Sequence, residues 1–179
     1  MRRSFGNHSP LILKQLLAKD VSDEEFKVFV GKFEQTFAQH YQSAPTALLP
    51  GALETLNHLK SCGYILCVAS NAPRAVLNKG LTETETLRLF DHTVCADEYP
   101  PKPHPLMLEK TLIQVECIPS KAIMVGDHFN DIIAAVEANI TPIGVLSGSQ
   151  DHDGLAPHRP ITILNNVNAL PSWLYQHAH

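Results

Sequence analysis

These 179 residues hold no cysteine pair, no membrane-length apolar run, no basic surplus and no internal repeat. Each absence removes a class of protein. The four cysteines (Cys62, Cys67, Cys95 and Cys117) are scattered and form no CxxC motif. That argues against a disulfide framework or a zinc site and for a reduced, cytoplasmic chain. No apolar stretch approaches the ~20 residues needed to span a bilayer. The run "LILKQLL" near the start is short and broken by Lys14, unlike a signal peptide. A formal net charge of -4 disfavours nucleic acid or an anionic membrane surface as main partner. Histidine is plentiful, at ten residues, but "DHDGLAPH" and the tail "QHAH" build no helical His-x3-His or Cys–His framework. A polar loop and a frayed tail account for them. With 44% hydrophobic and 18% charged residues the chain has globular composition and the length of one domain, with room for a small lobe.

The front of the chain reads as helical. Ser9 and Pro10 can start one helix, and Ser22 with Glu25 forms a capping box for a second. Phe26, Phe29, Val30, Phe33, Phe37 and Tyr41 follow at helical spacing as a packing face. "SAPTALLPG" reads as a linker. After Gly51 the pattern becomes short, unbroken apolar runs between helices: "YILCVAS", "HTVCAD", "AIMVG", "TPIGVLSG" and "ITIL". Gly63 is expected to stop the helix before the first run, and "PRAVLNKGLTETETLRLF" to form two helical pieces around Gly80. Unalternating strands between helices predict a doubly wound parallel α/β sheet covered on both faces. The expected division is an all-helical segment over residues 1–45 and an α/β core over 46–179. In such sheets ligands sit at the carboxyl ends of the strands.

Three strand ends carry chemistry. The first, "ASNAP", offers Ser70 and Asn71, which suit either an anion cradle or an ordinary helix N-cap. The second leads into "DEYPPKPHP", where prolines stiffen the loop around Lys102. A fixed ammonium there suits a phosphate or a carboxylate, and the alternative is a solvated lysine in a rigid turn. The third ends in Gly126-Asp127, with Asp131 one helical turn on. These are hard oxygen ligands for Mg²⁺, or acids placed to favour a helix dipole. Together, a hydroxyl, a lysine and an acidic pair suit a phosphoryl group bound beside Mg²⁺.

The elements "VASNAP", "PPKPHP" and "MVGDHFNDI" resemble, in that order, the second, third and fourth motifs of the haloacid dehalogenase-like hydrolases. The resemblance runs from about Leu49 to the C-terminus. The front, "RRSFGNHSPLILKQLL", resembles part of the helical cap of the phosphoglycolate phosphatase-like branch, with Gly6 and Asn7 near the substrate. The resemblance implies an Mg²⁺-dependent phosphatase acting on a small phosphorylated metabolite, a phosphoglycolate-like compound or a sugar phosphate. Ser70, with Asn71, would bind phosphate and Lys102 would stabilise it. Asp127 would ligate Mg²⁺, and Asp131 would support the metal or orient Lys102. A phosphomutase of the same family is the neighbouring alternative, and a dehalogenase fits less well because that branch needs no metal pair.

The family's first motif, a strand followed by Asp-x-Asp-Gly-Thr that carries the nucleophile, has no counterpart here. Asp20 and Asp23 follow no apolar strand. The resemblance therefore implies that the first core strand is missing from the sheet, between the strand ending at Ser70 and the one ending at Asp127. It also implies that Met1 lies inside the cap of a longer ancestral protein. The chain is expected to show no phosphatase turnover, either as a shortened form of an enzyme or as a degenerate relative that binds phosphate or a partner.

Overall fold

The structure is a computed structural model that describes residues 45–177, together with Ser22, Glu24, Glu25, 27–29 and Lys32. Gly6, Asn7, Asp20, Asp23, the first expected helix and most of the aromatic stripe lie outside the described residues. The capping box does not: the Ser22 amide donates to Glu25 Oε2 at 3.1 Å, and the Glu25 amide donates to Ser22 Oγ at 3.3 Å.

Helix α1 (Ala52–Ser61) leads to strand β1 (Cys67–Ser70), helix α2 (Arg74–Glu83) and strand β2 (His92–Cys95). Helix α3 (Leu106–Gln114), strand β3 (Ile123–Gly126), helix α4 (Phe129–Glu137) and strand β4 (Thr141–Val145) follow. A short α5 (His152–Leu155), strand β5 (Thr162–Leu164) and α6 (Leu170–His177) complete the order. The five apolar runs are the five strands, and every pairing among them is parallel.

Helix ends follow local chemistry. Gly63 takes a left-handed φ of 85° after α1, so its amide reaches Lys60 O and the Tyr64 amide reaches Leu59 O, closing the orphan carbonyls. The expected break at Gly80 does not occur. Gly80 lies inside α2, where an interior glycine costs only about 1 kcal/mol, and the helix instead ends through Glu85 at φ 55°. There the Glu85 and Thr86 amides return to Thr82 and Leu81 carbonyls in the same end motif.

The strands form two separate sheets, β1–β2 and β3–β4–β5. The split falls between β1 and β3, the position expected for the missing core strand. Two hydrophobic clusters nevertheless hold the halves together. Leu108 and Leu112 of α3 with Ala134 and Ala135 of α4 form one cluster, and Ala69 of β1 and Met124 of β3 both pack against it. Leu59 of α1, Ile143 of β4 and Leu170 and Leu174 of α6 form the other, joined by Leu66 and Val125. Met124 and Val125 are neighbours in one strand, so they point to opposite faces. The clusters are therefore the two sides of a covered α/β layer. At about 25 cal/mol per Å² of apolar surface buried, a fully buried side chain such as Ile143 stabilises the fold by about 1.5–3 kcal/mol.

Candidate active site

The carboxyl ends of β1 and β3 converge at one end of a groove of about 1500 Å³. Ser70, Asn71, Lys102, Asp127 and Asp131 all line it, so the fold brings together every residue that the sequence singled out at the strand ends.

Lys102 is the pivot. Its side chain is 8% exposed, so it is not the solvated lysine of a rigid turn. Nζ lies 2.7 Å from Asp131 Oδ1 and donates to the carbonyl oxygen of Ala69 at 2.6 Å. A buried ammonium must be paired and hydrogen-bonded, and these two contacts tie the end of β1 to the start of α4. The loop is locked from below by Asn71, whose Oδ1 accepts the Lys102 amide and whose Nδ2 donates to the Lys102 carbonyl, both at 2.8 Å. The Lys102–Pro103 peptide is cis. Asn71 thus spends its side chain on placing Lys102.

Asp131 serves two roles at once. Besides pairing with Lys102, its Oδ2 accepts the His128 amide at 3.1 Å while the His128 ring accepts the Asn130 amide, a reciprocal capping box at the start of α4. Burial pushes the His128 pKa below its ordinary value, against the opposing pull of Asp131 and Asp127. The neutral ring can then accept at Nδ1. Gly126 is required by close approach: a Cβ there would overlap the Asp131 side chain.

Asp127 is held from the loop after β4. The Ser149 amide donates to its Oδ2 at 2.6 Å, and the Gln150 amide donates to its carbonyl at 3.2 Å. A Cβ on Gly148 would overlap its carboxylate. Ser70 is not an N-cap. Its hydroxyl accepts the Ala72 amide at 3.1 Å, while α2 starts four residues after Ser70, at Arg74, with Pro73 at the cap. The first amide of α2, that of Arg74, is taken by Asp97 Oδ2 at 2.6 Å.

Sequence reading missed Asp97, His128 and the Gly148–Ser149 loop. The loop had a signal, since "SGS" follows an apolar run and so sits at a fourth strand end. Among the described residues no group of three or more His, Cys, Asp or Glu side chains comes together to hold a metal ion. Asp127 is the carboxylate that could hold one, since Asp131 is committed to Lys102 and His128. Mg²⁺ fits so sparse a donor set best, because it keeps several waters and takes one or two carboxylates.

A covered parallel α/β layer thus gathers hydroxyl, ammonium and carboxylate groups at its strand ends, the place where sheets of this class bind their ligands. The chain belongs to the haloacid dehalogenase-like hydrolase family, whose model matches residues 1–145, within its phosphoglycolate phosphatase-like branch. It is similar to the pyrophosphatase PpaX of Bacillus velezensis, 34% identical over 65% of the chain and 55% of that protein. It thus spans only about half the length of that relative. It is also similar to the phosphoglycolate phosphatase of Colwellia psychrerythraea, 28% identical over 92% of the chain and 76% of that protein. Among solved structures, a predicted phosphoglycolate phosphatase from Haemophilus somnus superposes with a TM-score of 0.81 at 26% identity, over 96% of the chain and 80% of that structure. No helix among the described residues is long and apolar enough to cross a membrane.

Proposed function

We propose that this protein binds the phosphate of a small phosphomonoester at the joined ends of β1 and β3, and that these 179 residues by themselves do not turn it over. The observation that carries the reading is the buried Lys102, fixed between Ala69 O and Asp131 at the mouth of the groove. A preorganised ammonium needs no reorganisation to neutralise phosphate charge. Ser70 Oγ, at the end of β1, hydrogen-bonds a phosphate oxygen. Asp127 is the position for Mg²⁺, which when bound supplies Lewis-acid polarisation of a phosphoryl oxygen. The names of the similar proteins support phosphoglycolate or a related phosphomonoester as the substrate class, and the four free cysteines suit a reducing, cytoplasmic setting.

Turnover needs a nucleophile, and the Asp-x-Asp-Gly-Thr motif that carries it in the family has no counterpart in these 179 residues. Calorimetric titration with inorganic phosphate, with and without Mg²⁺, tests the binding. The expected result is saturable binding strengthened by Mg²⁺, with the Mg²⁺ effect lost in Asp127→Asn. Absence of phosphate binding by the folded protein would refute the site. Hydrolysis of p-nitrophenyl phosphate that Asp127→Ala abolishes would refute the claim of no turnover.

A further inference from the structure

One loop holds Asp127 at both its side chain and its main chain. Strands β3 and β4 pair in parallel, Gly126 against Gly144, so the chain leaving β4 passes beside the residue that follows β3. Residues 148–150 fold back onto that residue. The Ser149 amide donates to Asp127 Oδ2 at 2.6 Å from 22 residues away, a charge-assisted bond. The Gln150 amide at 3.2 Å and the Ser149 hydroxyl at 3.3 Å donate to the Asp127 carbonyl. Gly148 lies so close to the carboxylate that a Cβ there would overlap Oδ2.

This clamp makes the two carboxylate oxygens unequal. Oδ2 is flanked by the positive end of the Ser149 N–H and by the Gly148 backbone. Among the described residues no donor is bonded to Oδ1. The neighbouring carboxylate offers no second ligand, because Asp131 is engaged by Lys102 Nζ at 2.7 Å and by the His128 amide at 3.1 Å. A cation that took both oxygens of Asp127 would meet the Ser149 N–H and Gly148 at Oδ2, whereas one that took Oδ1 alone would not. The common divalent ions differ in this respect. Ca²⁺ takes about six to eight oxygens and often both of one carboxylate, while Mg²⁺ accepts a single carboxylate oxygen and keeps several waters.

We infer that residues 148–150 are a positioning device that makes Asp127 a one-oxygen ligand and so sets the preference of the site for Mg²⁺ over Ca²⁺. The acting group is the Ser149 main-chain amide, and Gly148 admits it by having no side chain. Both residues act through Asp127 rather than as ligands, in the way that groups behind a metal ligand orient it. The inference rests on the reading of Asp127 as the Mg²⁺ position.

The test uses the whole chain, isotopically labelled for amide NMR, with Mn²⁺ as a paramagnetic probe. Bound Mn²⁺ broadens the amide signals of nearby residues, and broadening at 126–131 that Asp127→Asn abolishes marks the site. Mg²⁺ and Ca²⁺ are then titrated against the Mn²⁺, and the concentration of each that restores the signals is read. In the wild type Mg²⁺ is expected to restore them at the lower concentration. Ser149→Pro, which deletes the N–H, and Gly148→Ala are each expected to weaken Mg²⁺ by about tenfold, the size typical when a group supporting a metal ligand is removed. Both are expected to leave Ca²⁺ at least as effective as before. Ser149→Ala keeps the amide and is expected to keep the wild-type preference. The amide spectrum reports whether each variant folds, and Gly148→Ala carries the test if Ser149→Pro does not fold. Equal action of the two cations on the wild type, an unchanged preference in either folded clamp variant, or loss of the preference in Ser149→Ala would overturn the inference and leave the Mg²⁺ reading of Asp127 standing. Broadening that is absent, or indifferent to Asp127→Asn, would overturn that reading and the inference with it.

Discussion

At the scale of single residues, the site rests on one buried ion pair. Side chains of Lys102 and Asp131 are 8% and 10% exposed and 2.7 Å apart, so solvent does little to screen them. Removing one partner leaves the other buried and unpaired, which costs more than the pair contributes net. Lys102→Met is expected to destabilise the fold by about 3 kcal/mol, and adding Asp131→Asn to restore at least about 1 kcal/mol of that loss. Urea unfolding of both single variants and the double variant measures the coupling. Simple additivity of the two losses would show that the pair does not act as a unit. Ser70 and Asp127 were legible in the sequence because each follows an apolar run directly, and Lys102 because prolines bracket it in the loop after the second run. The partner of Lys102 was legible only as one of three options for Asp131, since a carboxylate one turn into a helix can serve the helix, a metal or a distant cation. Asn71 illustrates the same limit: read as a possible phosphate ligand, its side chain is bonded to the Lys102 backbone, 31 residues away.

At the scale of elements, the junction of β3 and α4 depends on a glycine. At Gly126 a Cβ would meet the Asp131 side chain, which is itself bonded to the His128 amide and Lys102. Gly126→Ala is expected to cost about 1–3 kcal/mol through overpacking and to weaken phosphate binding by displacing Lys102. Thermal unfolding and phosphate titration of the variant check both parts, and wild-type stability would show that the junction relaxes freely. Strands were legible because buried parallel strands are unbroken apolar runs. The end of α2 was not. Gly80 invites a break, but packing outweighs its propensity cost of about 1 kcal/mol. Glu85 adopts the left-handed conformation usually left to glycine.

At the scale of the molecule, two apolar clusters on opposite faces bridge two sheets that do not pair with each other. Leu112 belongs to one cluster and Ile143 to the other, with no shared members. Leu112→Ala and Ile143→Ala are each expected to cost about 2–5 kcal/mol, and the double variant to lose the sum within about 0.5 kcal/mol. Denaturant unfolding followed by circular dichroism checks this. Strong non-additivity would show that the groove couples the faces more tightly than their separate packing implies.

The sequence by itself determined the five strands and the longer helices between them, the parallel class of the sheet and most of the polar residues at its strand ends, although it read the stretch that forms α5 as a polar loop. These follow from short-range chemistry, such as apolar periodicity, prolines and caps. Only the tertiary structure decided that Lys102 is buried between Ala69 O and Asp131, that Ser149 and Gly148 hold Asp127, and that helices on both faces span an open slot between β1 and β3. Those facts join residues dozens of positions apart, and their free energy exists only when both sides of the contact are already in place.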